Sequence, residues 1–177
     1  MKILYFFLGV IIISVCPAVA QVSSVSDSSV HKAMRKMHIL TGNWVGSGWI
    51  NTGKEKRTFT QREMVVQKVK GTAIVIDGIG LDEITRKPVH EAFAVISYDI
   101  DNKKYMIRAF LANGKYIDAD ISVKTENTIM WSYKHPQAGK IRYTISVVNS
   151  NWVEKGEMNR DGSYWVPFFQ MDLKKQD

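Results

Sequence analysis

From Trp44 onward, apolar and polar residues alternate with a period of two, and short clusters of Gly, Asn and Asp break the alternation at intervals. Successive side chains of a strand point to opposite faces, so this pattern predicts strands. They fall over residues 44–50, 57–69, 72–80, 89–98, 104–112, 115–123, 128–134, 140–149, 152–158 and 163–173. The separators include Asn51-Thr52-Gly53, Lys70-Gly71, Asn113-Gly114, Glu126-Asn127 and Asp161-Gly162. Asn-Gly and Asp-Gly tolerate the positive φ that a tight hairpin turn needs. About ten strands joined in order by such turns describe an antiparallel meander. No helical pattern lies between any two of them, which excludes a parallel sheet. A meander of this length loses its exposed edges most simply by closing on itself. The expected fold is therefore all-β: an up-and-down barrel of about ten antiparallel strands with one short N-terminal helix.

The helix is read from a change of period. Val30, Ala33, Met34, Met37 and Leu40 recur at helical spacing and give about three turns with one apolar face. Asp27 or Ser28 is placed to cap its start, and Gly42 to end it. A helix this short is marginal alone and must dock on the rest of the chain. The strands differ in how clearly they show a buried face. Over 140–149, Ile141, Tyr143, Ile145 and Val147 stand against Arg142, Thr144 and Ser146. Over 89–98 both faces are largely apolar, which implies that part of the outer wall is covered, either by the helix or by a second copy in a homodimer.

Residues 1–20 follow another rule. Lys2 is their single charge, residues 3–15 are almost wholly apolar, and Ala18-Val19-Ala20 is a small-x-small cleavage site. The apolar run is shorter than the roughly 20 residues that span a bilayer. This predicts a signal peptide cleaved after Ala20, a secreted or periplasmic protein, and no integral span once the signal is gone. Lipidation at Cys16 is the weaker alternative, because Val15 is bulky for a lipoprotein box. Residues 21–29 read as a flexible leader, and 30–177 as one barrel domain. Cys16 is the single cysteine, so a processed chain has no disulfide, thiol nucleophile or thiolate metal site. The formal charge of +7 falls to +6 without Lys2. Its basic residues are scattered along the strands, apart from His31-Lys32-Ala33-Met34-Arg35-Lys36, so no nucleic-acid partner is expected.

Several stretches resemble a bacterial family of unknown function that is lipocalin-like, within the calycin superfamily of barrels. They are Leu40-Thr41-Gly42-Asn43-Trp44-Val45-Gly46, Ile96-Ser97-Tyr98-Asp99 with Asn102-Lys103-Lys104-Tyr105, and Tyr133-Lys134-His135-Pro136-Gln137-Ala138-Gly139-Lys140. Trp152 with Glu154, Asp161-Gly162 and Phe169-Gln170-Met171 complete the set. The resemblance implies a barrel and no established activity. In such barrels the first strand enters at the closed end, so Trp44 is expected to plug the floor rather than touch a ligand. Gly42, Trp44, Gly46 and Gly48 also match the opening of nitrobindin, a more distant haem-binding barrel. That resemblance implies an axial histidine near the chain's end; residues 163–173 contain none, and no cofactor is expected.

Catalytic signatures are absent from the spacing. The histidines, His31, His38, His90 and His135, form no metal-ligand pair, and no nucleophile elbow accompanies them. Surface or capping roles are expected for all four. Asp118 and Asp120 share a strand face, for which a solvated outer wall is the simplest explanation. What remains is the barrel interior, since ten strands enclose room for a small molecule. The candidate ligand-binding residues are Glu63, Phe93, Arg108, Phe110, Trp131 and Tyr143, with Phe59 and Trp165 as further aromatic lining. Glu63 or Arg108 would be the polar anchor. An inward Arg108 suits a carboxylate; an outward one faces water, and strand parity leaves both open. The leading expectation is a secreted, non-enzymatic barrel that binds a small apolar or amphipathic molecule. The alternatives are a barrel-housed isomerase or hydrolase, haem-dependent or built on an inward acid–base pair, and an envelope interaction protein.

Overall fold

The computed structural model describes residues 28–177. The signal peptide, the cleavage site, Cys16 and the leader up to residue 27 lie outside the described residues. A short helix, α1 (Ser28–Met34), runs into a 3₁₀ segment (Arg35–Leu40). Ten strands follow: β1 (Gly42–Asn51), β2 (Lys56–Lys68), β3 (Ala73–Asp82), β4 (Pro88–Asp99), β5 (Lys104–Phe110), β6 (Tyr116–Thr125), β7 (Thr128–His135), β8 (Gly139–Val148), β9 (Asn151–Asn159) and β10 (Val166–Gln176). Each pairs antiparallel with the next, and β10 returns to β1 in an unbroken register from Asn43↔Gln176 to Ile50↔Phe169. The barrel is closed, and no strand among the described residues presents a free edge.

Two elements depart from the pattern read in the sequence. The single amphipathic helix becomes an α-turn followed by a 3₁₀ segment. The reason is the spacing of its anchors: Met34, Met37 and Leu40 are three apart, and a 3₁₀ helix stacks residues i and i+3 on one line. All three are fully buried. Thr41 stops the segment by turning both its N–H and its hydroxyl (2.7 Å) onto the His38 carbonyl. The last strand starts at Val166 rather than at residue 163. Asp161 accepts hydrogen bonds from the Ser163 N–H and hydroxyl, which holds those residues in a turn, and the β9–β10 register slips between Pro167 and Phe169.

The helical segment closes one end of the barrel. Trp44 Nε1 donates to the Leu40 carbonyl at 2.8 Å, and the Tyr105 hydroxyl donates to the Ala33 carbonyl at 2.9 Å. Trp44, 1 % exposed, meets Trp152 edge-on at 5.5 Å, so two indoles form the floor expected of the Gly-x-Trp opening. A Cβ on Gly46 would collide with the Asp172 carbonyl across β1 and β10, so a glycine is required where those backbones converge. The helix packs against β4 without burying the middle of its outer wall. The strand's outward residues Phe93 and Val95 remain exposed and partly exposed.

Candidate functional site

Above the indole floor lies a cavity of about 870 Å³ that opens at the opposite end, where Phe110, Leu111, Tyr116 and the turn around Pro136 form its rim. Its wall is assembled by strand alternation. Ile76, Ala94, Ile107, Ile121, Ile129 and Ile145 supply most of one side. Rings supply the other. Trp131 stacks on Tyr143 with centroids 4.2 Å apart and planes 8° from parallel, and Tyr133 continues the stack at 5.9 Å. Phe169 meets Tyr143 at 5.8 Å and His90 at 5.2 Å, and Phe59 lies 6.0 Å from both Phe169 and His90.

Polar groups interrupt this apolar shell near the floor. On β2 the buried residues are Phe59, Gln61, Glu63 and Val65, so period two carries Gln61 and Glu63 inward with the two apolar side chains. Gln61 Nε2 donates to Glu63 Oε1 at 2.7 Å, while Glu63 Oε2 and Gln61 Oε1 have no hydrogen-bond partner among the described residues. The neighbouring strand makes room for them: in register, Glu63 faces Gly78 and Gln61 faces Gly80. A Cβ on Gly78 would stand 2.5 Å from Glu63 Cδ, and one on Gly80 would stand 2.5 Å from Gln61 Oε1. From β9, Glu154 points in between Trp152 and Gly156 and is 7 % exposed.

Burial governs the charge of this site. It pushes the Glu63 carboxyl from 4.5 up to about 8, with the nearby Glu154 charge adding to the rise and the Gln61 hydrogen bond opposing it. Burial also lifts Glu154 from 4.5 to about 7, against the pull of the Trp152 and Trp131 indole N–H groups. The Trp152 N–H is near enough to favour the Glu154 carboxylate but not aligned to hydrogen-bond it, and Nε1 is left without a partner. Burial drives His90 down from 6.5 to about 4 and raises Tyr143 well above 10.0. Near neutrality the cavity therefore holds an uncharged imidazole and two carboxyls that each retain much of their proton.

Of the six candidate ligand-binding residues, Glu63, Trp131 and Tyr143 line the cavity, whereas Phe110 reaches only its rim, alternating outward with Arg108 and 43 % exposed. The inward placement weighed for Phe93 and Arg108 does not occur. Phe93 is on the outer wall, 5.9 Å from Phe110. Arg108 alternates with inward Ile107 and Ala109 and instead grips Asp118 with two hydrogen bonds of 2.7 Å. Phe59 is fully buried against the cavity's rings, whereas Trp165 lies outside the lining, under the Arg142 guanidinium at 3.9 Å. Asp118 and Asp120 do share the solvated outer face, the latter bonded to Lys104 at 3.2 Å. His90 corrects the expectation of surface or capping roles, since it belongs to the cavity wall. Gln61, Glu154, His90 and Trp152 were missed. The alternation Trp152-x-Glu154-x-Gly156 carried the signal for two of them.

No group of three or more His, Cys, Asp or Glu side chains among the described residues is arranged to hold a metal ion. Haem, which the nitrobindin resemblance attaches through a histidine near the chain's end, finds no such histidine on β10; the cavity's His90 is on β4, clustered with the Phe59 and Phe169 rings.

The architecture is that of a lipocalin-like barrel with an internal cavity, and comparison with solved structures agrees. Rv2717c from M. tuberculosis is similar over 82 % of this chain and 98 % of its own, with a TM-score of 0.63 and 12 % identity. The S-type phycobiliprotein lyase CPES from Guillardia theta is similar over 84 % of this chain and 92 % of its own, with a TM-score of 0.56 and 9 % identity. At these identities the likeness is one of fold. No family profile and no curated protein matches the sequence.

Proposed function

We propose that this protein is a secreted carrier that binds a small apolar or amphipathic molecule inside its barrel. The observation that carries the reading is the cavity of about 870 Å³, floored by the helix and indoles and open at the far end. That volume lies in the range of small-molecule sites, and a mostly apolar wall with a few convergent polar groups is their usual composition. The neighbour named as a phycobiliprotein lyase lends the same direction, since its name implies work on a pigment-bearing partner. Secretion is supported by the composition of residues 1–20. No helix among the described residues is long and apolar enough to cross a membrane. Native mass spectrometry of protein purified from its producing cells tests the reading, with organic extraction of any adduct. A bound small molecule of defined mass is expected. A uniformly bare protein that also binds no apolar probe refutes it.

One observation favours a second reading, a cofactor-free proton-transfer enzyme. Glu63 and Glu154 are two buried carboxyls of raised affinity for protons in one cavity, and a pair of carboxyls there can supply an acid and a base. Turnover of a carbonyl isomerisation substrate that is abolished in both Glu63→Gln and Glu154→Gln would establish it, and turnover unaffected by either change would dismiss it.

A further inference from the structure

Resting on the reading of the barrel as a ligand carrier, we propose that its ligand is an amine, seated head-down with its cationic nitrogen between Glu63 and Glu154 and its flat apolar body against the ring wall. Three features of the cavity converge on this chemistry. The first is the inventory of free polar atoms. Glu63, 4 % exposed, lines the cavity with Oε2 unpartnered, whereas Gln61 beside it, with its own unpartnered Oε1, is fully buried and outside the lining. The free donor on the same floor, Trp152 Nε1, has the Glu154 carboxyl beside it as an available acceptor. Once ionised, Glu63 Oε2 is an acceptor, and a buried acceptor left unpaired is costly. A ligand that donates N–H bonds to Glu63 satisfies it; one that ends in a carboxylate adds a second negative charge beside it.

The second feature is charge. The cations that line the cavity are Lys115 and Lys134, both near the rim at the ends of β6 and β7. The charged and titratable groups facing the head-group position are Glu63 from β2, Glu154 from β9, His90 from β4, and Tyr133 and Tyr143 from β7 and β8. Asp77 on β3 adds a negative field from behind Glu63. β1 presents Trp44 there, opposite Glu63 in register, and no ionisable side chain. Lys175 on β10 holds its ammonium 5.4 Å from the Trp44 ring but lies outside the cavity lining. Among the described residues no positive side chain lines the cavity at its floor to balance the two carboxyls, so a bound cation is the partner that lets both ionise.

The third feature is the space kept open for the anchor. Gly78 and Gly80 form a shelf on β3 that any side chain would obstruct, and the carboxyl and amide occupy it one step above the Trp44–Trp152 floor. The stack of Tyr133, Trp131 and Tyr143 then offers flat faces to a body above the head group, and ring faces also attract cations. Binding a protonated amine near pH 6 displaces the carboxyl proton to the buffer, and the nitrogen keeps its own.

Isothermal titration calorimetry with three probes of one ring system tests this: 1-naphthylmethylamine, 1-naphthalenemethanol and 1-naphthoate, on the wild-type chain and on Glu63→Gln and Glu154→Gln. The expected result at about pH 8 is an amine affinity at least about tenfold above the alcohol, with naphthoate weakest. Each substitution should cut amine affinity about tenfold or more while the alcohol still binds as before, which also certifies the fold. Titrations in two buffers of different ionisation enthalpy should show proton release with the amine near pH 6 and none with the alcohol. Equal binding of amine and alcohol, or an amine affinity untouched by both substitutions, overturns the amine and leaves the carrier reading standing. Loss of alcohol binding in both variants also overturns it, because the carboxyls would then be holding the cavity's shape. Failure of all three probes to bind takes down the amine and the carrier together.

Discussion

Replacing Glu63 by Gln should change how the stability of the protein responds to pH. The folded carboxyl holds its proton to about 8, whereas the unfolded chain releases it near 4.5. A carboxyl raised in this way stabilises the fold fully below the unfolded value, and that contribution is lost as pH rises through the folded one. Between about pH 6 and 7.5 the native state carries nearly one more proton at Glu63 than the unfolded state, a slope of about 1 kcal/mol per pH unit and a loss of about 2 kcal/mol over the interval. Glu154, held to about 7, loses about 1 kcal/mol over the same range. His90 works in the opposite sense: its folded value near 4 lies below the usual 6.5, so its contribution is present above 6.5 and fades as pH falls toward 4. Glu63→Gln leaves the His90 and Glu154 parts in place and removes its own. It also preserves the bond from Gln61, since an amide oxygen accepts as a carboxylate does. Urea unfolding followed by tryptophan fluorescence at the two pH values should therefore show the wild type losing about 2 kcal/mol more than the variant. Parallel stability changes in the two proteins would mean that Glu63 titrates as it would in water, and the buried-anchor argument would fail with it.

The other expectations concern the shelf, the floor and the outer wall. Gly78→Ala forces a methyl against the Glu63 carboxyl; it should destabilise the protein by about 1–3 kcal/mol in denaturant titrations, and a variant as stable as wild type would show that the carboxyl does not rest there. Met37→Ala empties a fully buried position in the segment that closes the barrel, at a cost of about 2–5 kcal/mol by the same measurement. A negligible change would show that the segment contributes nothing to the core. Arg108→Ala removes an exposed pairing with Asp118 and should leave both the unfolding midpoint and binding of the naphthyl probes unchanged. Weakened probe binding would contradict its position on the outer face.

The barrel was legible because its signal is collective. Strand after strand repeats period two, and several turns carry residues that admit positive φ, as at Gly53, Gly114 and Gly162. An error at one boundary, such as the late start of β10, leaves the order and direction of the strands intact. The site is a different kind of object, because it depends on the parity of individual residues. On β5, Arg108 sits between Ile107 and Ala109, and a shift of one residue decides whether it anchors a ligand or meets solvent. Glu63 and Trp131 are inward by the same logic that excludes Arg108, and aromatic character does not separate these cases: Phe93 stands on a strand with two largely apolar faces and Tyr143 on one with a single apolar face, and the first is exposed while the second is stacked inside.

The clue to the anchor was in fact on the opposite strand. The Glu63 carboxyl lies along the wall because its neighbour yields space: Gly78 and Gly80 yield it at the two positions that face Glu63 and Gln61 across the β2–β3 ladder, whereas Glu154 stands between Ile145 and Met171. A glycine at every second residue of a strand otherwise costs conformational entropy and packs nothing. Two of them opposite the two polar side chains of an otherwise apolar inward row are difficult to account for as packing alone. The same exchange recurs at Gly156, which faces Tyr143 across β8 and β9 and leaves its ring free to stack on Trp131. Polar or aromatic residues paired with inward glycines thus mark the wall that surrounds the carboxyls. By that criterion β2, β3, β8 and β9 build the site, and β5 and β6, whose inward row is Ile107, Ala109, Ala119 and Ile121, supply the apolar backing.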